Sequence, residues 1–454
     1  MDRRPGAGRA ERGSAATGRA ERGLDAYRAK RAASRTPEPF DARRARPRLF
    51  VVQQHQARRM HYDLRLEWNG VLLSWAVPKG PSLDPDEKRL AVHVEDHPVD
   101  YADFEGVIPE GNYGAGAVIV WDLGRWTPLE DPERGLATGK LDFVLHGHKL
   151  RGRFALVRTG GRRAAAAGGK EWLLLKKRDG FAGSDAALSP RSVLSGLTIE
   201  ERAAGVRRDA AIGARLAKLG APRGRVRAAD LKLMLAEPWP EPFSAPGWLF
   251  EIKYDGWRVV AEGGAGGARL RTRGGQDATA AFPDLARALA ALPCEHAVLD
   301  GEVVVLDPGG RPSFAALQQR AQLGDASGAE RAAVEQPAVL YAFDLLGFGD
   351  RDLRPLPLAR RRELLTALLP GPGPLRVSDA FADDGAAVFA AATRLGFEGV
   401  VAKRADAPYR AGRGPAWRKI ARRRTGDFAV VGWTAGRGAR AALGALHLAA
   451  RAAD

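Results

Sequence analysis

Phe50-Val-Val-Gln-Gln-His55-Gln-Ala-Arg-Arg-Met-His61-Tyr-Asp63-Leu-Arg65-Leu-Glu67 opens on an apolar run and closes on an alternating one. A period of two is that of a β-strand, so His61, Asp63 and Arg65 fall on one face and Tyr62, Leu64 and Leu66 on the other. Neutral imidazole and carboxylate suit a divalent transition metal, and His55, six residues upstream of His61, could complete a facial set. Arg65 could clamp a phosphate oxygen beside it. His93, Glu95 and His97 repeat the alternation and are expected on one face of a second strand. The same spacing also describes polar outer faces of strands, so two readings stand: exposed sheet surface, or metal-assisted hydrolysis of a phosphoester.

The runs Leu49–Val52, Val71–Val77, Leu90–Val94 and Ala117–Trp121, with two more ending at Val157 and Lys176, are separated by Gly, Pro, Asn and Asp. Several short strands with turn signals between them predict a small β-barrel or sandwich over 49–178. Residues 1–48 are Arg, Gly, Ala and Glu with few large apolar residues, and are expected to form a disordered basic tail. An Ala/Arg/Gly-rich stretch over 179–230 reads as a linker with some helix. From 231 to 425, strands at Trp248–Ala261, Ala297–Leu306 and Val339–Leu346 alternate with helices at Thr279–Ala291, Ser313–Gln322, Leu358–Leu369 and Gly385–Leu395, an α+β pattern. A strand at Phe428–Trp433 opens the last segment, 426–454.

The chain has 454 residues, enough for more than one core, and 71 basic against 54 acidic side chains, a net charge of +17. Such an excess favours a polyanionic partner, nucleic acid before others. One cysteine, Cys294, excludes an intramolecular disulfide and fits a reducing compartment. No apolar run reaches the ~18 residues of a membrane span and no signal core opens the chain, which predicts a cytoplasmic protein.

The opening segment, with Ser74-Trp-Ala-Val-Pro-Lys79-Gly-Pro, Glu95-Asp-His97-Pro-Val-Asp-Tyr101 and Glu105-Gly-Val-Ile-Pro-Glu-Gly-Asn-Tyr113, resembles the 3′-phosphoesterase domain of bacterial DNA ligase D over roughly Asp25 to Arg178. The resemblance implies that His55, His61 and Asp63 bind Mn²⁺. It places Arg65, Lys79, Arg89, Glu95, His97 and Tyr101 around the scissile phosphate, with Gln53 adjoining. The family trims a 3′-terminal ribonucleotide or 3′-phosphate to leave a 3′-OH. His93 stands where relatives carry Gln and has no assigned role.

A second signal is Glu251-Ile-Lys253-Tyr-Asp255-Gly256-Trp-Arg258, which is expected at a strand end turning through Gly256. After Lys232 the chain holds only three lysines, Lys253, Lys403 and Lys419, among many arginines. An amine attacks phosphorus only when unprotonated, which a neighbouring cation or metal favours. The pattern is that of nucleotidyltransferases: ATP-dependent DNA ligases, RNA ligases and capping enzymes. Arg271-Thr-Arg273, Leu299-Asp-Gly-Glu302, Tyr341-Ala-Phe343-Asp344, Glu398-Gly-Val-Val-Ala-Lys403 and Trp417-Arg-Lys419 resemble its further motifs, in order. By resemblance Lys253 carries AMP. Glu251, Arg258, Arg273, Glu302, Phe343, Lys403 and Lys419 bind ATP, with Phe343 stacking on adenine, and Glu302 and Glu398 hold Mg²⁺ or Mn²⁺.

The implied architecture is a β-barrel phosphoesterase domain, an α+β, ATP-grasp-like nucleotidyltransferase domain and the start of a truncated oligonucleotide-binding (OB) fold. Two departures matter. Lys419-Ile-Ala421 has Ala where the late motif carries a second lysine, and relatives continue into a longer OB-fold than 426–454 can build. The implied function is DNA double-strand-break end repair: trimming of 3′ ends and ATP-dependent sealing through a lysyl-AMP intermediate. It would work on DNA ends and nicks with a Ku-like end-binding protein and possibly a separate polymerase or primase, in the bacterial cytoplasm near the nucleoid, away from membrane. Three alternatives stay open: an active phosphoesterase with a weak or inactive ligase, an RNA ligase or capping-type transferase, and a non-catalytic DNA-end binder.

Overall fold

The computed structural model describes residues 24–40, 46–160, 169–422, 428–436 and 444–450. β1 (Leu49–Gln56) turns into β2 (Met60–Trp68), followed by β3 (Val71–Val77), β4 (Lys88–His93), β5 (His97–Pro98), β6 (Gly106–Ile108), β7 (Gly116–Pro128), β8 (Lys140–Gly147), β9 (Arg151–Arg158) and β10 (Glu171–Lys176). Pairing runs β1-β2-β3-β4-β10-β9-β8-β7, and β7 returns onto β1, which closes an eight-stranded antiparallel barrel; β5 and β6 attach to β3 and β7. Closure depends on Gly116, whose φ of 138° suits glycine and whose Cβ would stand 2.0 Å from the Gln56 carbonyl oxygen.

Alternation sorts the side chains. Phe50, Val52, Leu64, Leu66, Trp75, Trp121, Trp126 and Phe143 fill one apolar cluster inside the barrel. The other face of β1 and β2 carries Val51, Gln53, His55, Asp63 and Arg65, with Gln53 opposite Asp63 and His55 opposite His61 in register. This outer face is roofed by the short turn Val99–Asp103 and by the chain before β1.

That covering corrects the expectation of a wholly disordered tail. Residues 1–23 and 41–45 lie outside the described residues, but Asp25–Ala29 is helical and Tyr27 is fully buried, its hydroxyl donating to the Pro39 carbonyl at 2.8 Å. Leu24 and Tyr27 each meet a core cluster of the barrel side, Phe40 packs against the same core, and Lys30 and Arg31 pair with Glu95. The reading of 179–230 as a linker is also corrected in part. It holds helices Ile199–Ala203 and Arg208–Lys218, and Ser192, Val193, Leu194 and Ser195 are buried. Val193 N–H donates to the Val120 carbonyl on one side and Arg208 N–H to the Pro293 carbonyl on the other. The segment is a clasp between the two halves.

The second half has two sheets. One is ordered β11-β21-β20-β12-β19, built from β11 (Met234–Pro238), β12 (Trp248–Ile252), β19 (Ala380–Ala382), β20 (Gly399–Arg404) and β21 (Gly412–Ala421). The other is ordered β14-β13-β15-β16-β17, with β18 (Leu375–Val377) on β16; its strands are β13 (Trp257–Gly263), β14 (Arg269–Thr272), β15 (Ala297–Val305), β16 (Ala338–Phe348) and β17 (Arg351–Asp352). The single strand expected over Trp248–Ala261 is therefore two strands in different sheets, broken at Lys253–Gly256. Gly256 allows the break, since a Cβ there would stand 2.3 Å from the Val303 carbonyl oxygen. The four expected helices form as Pro283–Ala290, Phe314–Ala321, Leu358–Leu368 and Gly385–Arg394, and Ala326–Glu335 adds one not foreseen.

Phe428–Trp433 yields β22 (Ala429–Thr434), which pairs with β23 (Ala445–Ala449) in an exposed hairpin. One apolar cluster runs from Val51 and Val120 of the barrel through Val193 to Leu285 and Leu340 of the second half. Cys294 is buried, which pushes its thiol up to about 12. Among the described residues no helix is long and apolar enough to cross a membrane.

Candidate active sites

On the barrel's outer face one donor atom from each of His55, His61 and Asp63 lies within 4.8 Å of the others. His55 Nδ1 is 3.8 Å and His61 Nε2 3.6 Å from the Asp63 carboxylate. The far nitrogen of each ring faces a carbonyl oxygen, His55 Nε2 that of Gly114 at 2.8 Å and His61 Nδ1 that of Arg59 at 3.0 Å. A carbonyl only accepts, so those nitrogens carry the protons and the two lone pairs point at Asp63. Such backing is how metal-ligating histidines are fixed in tautomer and orientation, and the donor set fits a divalent cation.

Arg65, almost fully buried, donates to Asp63 Oδ2 at 3.0 Å, Ser74 Oγ at 2.8 Å and Gln53 Oε1 at 2.9 Å. Gln53 in turn donates to the Tyr101 and Phe104 carbonyls. Burial alone would raise the Asp63 carboxyl, but the Arg65 guanidinium beside it outweighs burial and holds the group well below the usual carboxylate range. His97 donates from Nδ1 to the Glu95 carbonyl at 2.9 Å; burial, then Arg65 and Arg31, keep it neutral far below its ordinary range. Tyr101 donates to Glu38 at 3.0 Å.

The docked arm brings side chains that the sequence reading missed. Arg31 donates to Glu38 at 2.9 Å and to Glu95 at 3.2 Å, and its Nη2 lies 3.5 Å from His97 Nε2; Lys30 donates to Glu95 at 2.9 Å. The available signal was the pair Leu24 and Tyr27 in a stretch otherwise poor in large apolar residues.

Other expected members make no hydrogen bond or ion pair to the His/Asp cluster among the described residues, although Val77, two residues before Lys79, pairs with Tyr62 beside His61. Lys79 is exposed at the end of β3. Arg89 donates to Asp185 at 2.9 Å rather than touching the His/Asp cluster. The shared face expected for His93, Glu95 and His97 does not form. β4 ends at His93, the chain leaves the strand before β5, and His93 stacks on Trp75 of the barrel interior with ring centroids 4.9 Å apart.

The second constellation lines a cleft of about 250 Å³ between the two sheets, walled by Glu251, Lys253, Arg258, Arg273, Glu302, Phe343, Lys403, Arg413, Trp417 and Lys419, among others. Strand ends of both sheets bring these motifs together. Lys253 donates to Glu398. Glu251, buried at the base, accepts from Lys403 at 2.8 Å and from Arg362 at 2.8 Å. Burial pulls the Lys403 ammonium below its usual range against the attraction of Glu251, and that ammonium lies 3.9 Å from the Phe343 ring centroid. Arg258 makes a forked pair with Asp300 at 3.0 and 2.8 Å, and Tyr409 donates to the same carboxylate at 2.7 Å. Burial, reinforced by Asp300 and Glu398, pushes Glu302 up to about 7 despite Arg258 and Lys253. Two carboxylates, Glu302 and Glu398, thus lie near the lysine with charge that a cation would neutralise. Arg362, Asp300 and Tyr409 were not foreseen; Arg362 sits in an arginine run on a helix, where nothing marks it.

Ala421 ends β21 opposite Gly399, on the strand face shared by Trp417 and Lys419, and is exposed. Arg422 donates its backbone N–H to the Glu398 carbonyl at 2.8 Å, and Arg423 lies outside the described residues.

Residues 53–158 match the DNA ligase D 3′-phosphoesterase domain family and residues 233–420 the ATP dependent DNA ligase domain family. The chain is 43% identical over 439 residues to the multifunctional non-homologous end joining protein LigD of Pseudomonas aeruginosa, covering 94% of this chain and 50% of that protein. It is 38% identical over 429 residues to the corresponding DNA repair protein of Mycobacterium tuberculosis, covering 92% and 47%. The chain spans about half the length of these relatives. A solved mycobacterial DNA ligase D complexed with ATP and MES is 35% identical, with a TM-score of 0.40 over 49% of this chain and 69% of that one. An ATP-dependent ligase domain implies ATP and a divalent cation. The chain joins a domain of the DNA ligase D 3′-phosphoesterase family to a domain of the ATP-dependent DNA ligase family.

Proposed function

We propose that the protein repairs broken DNA ends with two active sites, trimming 3′-phosphates or 3′-terminal ribonucleotides on the barrel and sealing nicks or ends with ATP in the second half. The observation that carries the proposal is convergence: His55, His61 and Asp63 come together on the barrel with Arg65 against them, and Glu251, Lys253, Arg258, Arg273, Glu302, Phe343, Lys403 and Lys419, scattered in sequence, line one cleft, although Lys79 and Arg89 stay outside the barrel cluster.

In the barrel, Mn²⁺ held by His55, His61 and Asp63 would supply a Lewis acid for a phosphate oxygen and an acidified water. Arg65 neutralises charge on the phosphoryl oxygens while Gln53 and Ser74 fix its direction. His97 stays neutral, and its Nε2 is the basic atom beside Arg31. Tyr101, Glu38 and Glu95 hold Arg31 and Lys30 over the site, so the arm closes the site and adds positive charge for a DNA end.

In the cleft, Lys253 Nζ attacks the α-phosphorus of ATP, a P–N bond forms and pyrophosphate leaves. Glu398, which accepts from the Lys253 ammonium, is the near acceptor for its proton. Glu302 and Glu398 would hold Mg²⁺ or Mn²⁺; Arg258, Arg273, Lys403 and Lys419 face the nucleotide, with Phe343 as the ring beneath adenine. AMP then passes to a DNA 5′-phosphate and a 3′-OH displaces it. Ala421 favours a second reading of this half, adenylylation that outpaces sealing.

The net charge of +17 supports direct binding of DNA, and the relatives' role in non-homologous end joining supports delivery of ends by a Ku-like protein, gap filling by a separate polymerase or primase, and a place in the cytoplasm beside the nucleoid. Incubation with α-labelled ATP and Mg²⁺ tests the proposal: label on wild type and none on Lys253→Ala supports it. Equal label on both rejects it. A preference for GTP would favour a capping-type transferase.

A further inference from the structure

Between β12 and β13 the chain crosses from one sheet to the other through Lys253–Gly256, so Lys253 stands on a turn and not in a ladder. A lysine stem is flexible, and where its amine points depends on what holds the backbone beneath it. Lys253 N–H donates to the Gly399 carbonyl at 2.9 Å. A second hold is aromatic. The Tyr254 ring lies flat on Tyr341, centroids 4.0 Å apart and planes at 11°, and Phe397 meets Tyr254 edge-on with centroids 5.9 Å apart at 83°. Both are arrangements that aromatic pairs favour.

Each ring belongs to a different part of the cleft. Tyr254 follows Lys253, and Phe397 precedes Glu398, which accepts from that lysine. Tyr341 pairs with Glu302 across β16 and β15 and lies two residues before Phe343 on the same strand face. The outer members are themselves anchored. Arg376, opposite Tyr341 on β18, donates from Nη1 to the Tyr341 hydroxyl at 3.4 Å and from Nε to the Gly373 carbonyl at 2.9 Å. Phe397 packs on the cluster of Phe250, Val400 and Ile420.

Two plainer roles fit less well. A core filler would join an apolar cluster, as Tyr27 and Tyr409 do, and among the described residues Tyr254 and Tyr341 join none. A base for Lys253 would need a phenol that loses its proton easily, whereas burial, then Tyr341, hold the Tyr254 hydroxyl above its ordinary range. Tyr341 stands behind Tyr254: the cleft wall takes in Tyr254 and Phe343 and, among the described residues, not Tyr341.

We infer that Tyr341, Tyr254 and Phe397 form a positioning stack for adenylylation, clamping the Lys253 turn so that Nζ is aimed at the α-phosphorus with Glu398 beside it. The inference deepens the proposed ligase reading and rests on it. The stack acts on the direction of the amine and not on ATP, so its loss slows the chemical step and leaves nucleotide binding alone.

The test uses the full chain with α-labelled ATP and Mg²⁺, and follows the rate of labelling as a function of ATP concentration. Tyr341→Ala is expected to lower the limiting rate by about 10- to 100-fold, between the scale of one aromatic pair and that of a nucleophile displaced by an ångström. Half-saturating ATP should stay within about twofold of wild type. Tyr254→Ala should lose a similar amount, and the double variant should be no slower than the slower single one. Tyr341→Phe keeps the ring and should keep the rate. Phe343→Ala, two residues along, should instead raise half-saturating ATP. A Tyr341→Ala rate equal to wild type overturns the inference, as do a Tyr341→Phe rate as slow as that of Tyr341→Ala, additive losses in the double variant, or a shift in half-saturating ATP equal to that of Phe343→Ala. Tyr341→Leu repeats the comparison should Tyr341→Ala melt early. Absence of label on wild type would reject the ligase reading and the stack with it; a labelled wild type and an unslowed Tyr341→Ala would reject the stack alone.

Discussion

Ala421 isolates how much one side chain decides. It lies opposite Gly399, next to Glu398 and on the face that carries Lys419, at the mouth of the cleft that holds Lys253. Restoring an ammonium there should help transfer of AMP to a nick more than formation of the lysyl adduct. Ala421→Lys is expected to raise the sealing rate of a preformed nick about tenfold, the scale of one phosphate contact in a transition state. Stopped-time gel assays of nicked DNA check this. Glu302 offers a second residue-level outcome. Its carboxyl, raised to about 7, must lose a proton to bind a cation, so cation affinity should fall as pH drops below 7, by up to about tenfold per unit. Calorimetry in two buffers of different ionisation heat should show proton release on cation binding near pH 6, and Glu302→Gln should lose it. These residues were legible because short motifs name them. Arg31 and Arg362 were not, because their role comes from a docked arm and from a helix crossing above Glu251, neither of which spacing encodes.

At the scale of elements, alternation carried most of the barrel. It predicted which of Asp63, Leu64 and Arg65 face the site, and the register of β1 on β2 bears that out. It failed at His93 because alternation holds only while a strand continues, and β4 ends there. Over Trp248–Ala261 the apolar texture reads as one strand while the motif reads as a strand end turning through Gly256; the second reading holds, since Lys253–Gly256 passes the chain from one sheet to the other. Gly256 is the backbone condition for that passage. Gly256→Ala should lose adenylylation by at least about 100-fold, because a displacement of the nucleophile by an ångström has effects of that order. Labelling with α-labelled ATP checks the rate, and circular dichroism should find the secondary structure retained.

Across the whole molecule, the two halves share one apolar cluster and a set of ion pairs that no sequence motif records. Arg287, on the helix Pro283–Ala290, donates to Glu330 at 2.8 Å and lies 3.4 Å from Asp103, whose turn also carries Tyr101; fully buried Arg46 pairs with Asp103 from the barrel side. Breaking one partner of a largely buried group costs about 3 kcal/mol, since it strands the opposite charge. Wild type should unfold in one calorimetric transition, and Arg287→Ala should split it into two, the barrel melting first. Composition pointed to a polyanionic partner and to more than one core. It could not foretell that the stretch over 179–230 joins those cores, because burial of small residues such as Ser192 and Ser195 leaves little mark in sequence.

In the proposed function two chemistries serve one DNA end, and a single substrate interrogates both: a nick with a 3′-phosphate facing a 5′-phosphate, given ATP, Mg²⁺ and Mn²⁺. Wild type should seal it. His61→Ala should fail on this nick and seal one with a 3′-OH, while Lys253→Ala should remove the phosphate and leave the nick open. Sealing of the blocked nick by His61→Ala at the wild-type rate, or sealing of either nick by Lys253→Ala, would contradict the account.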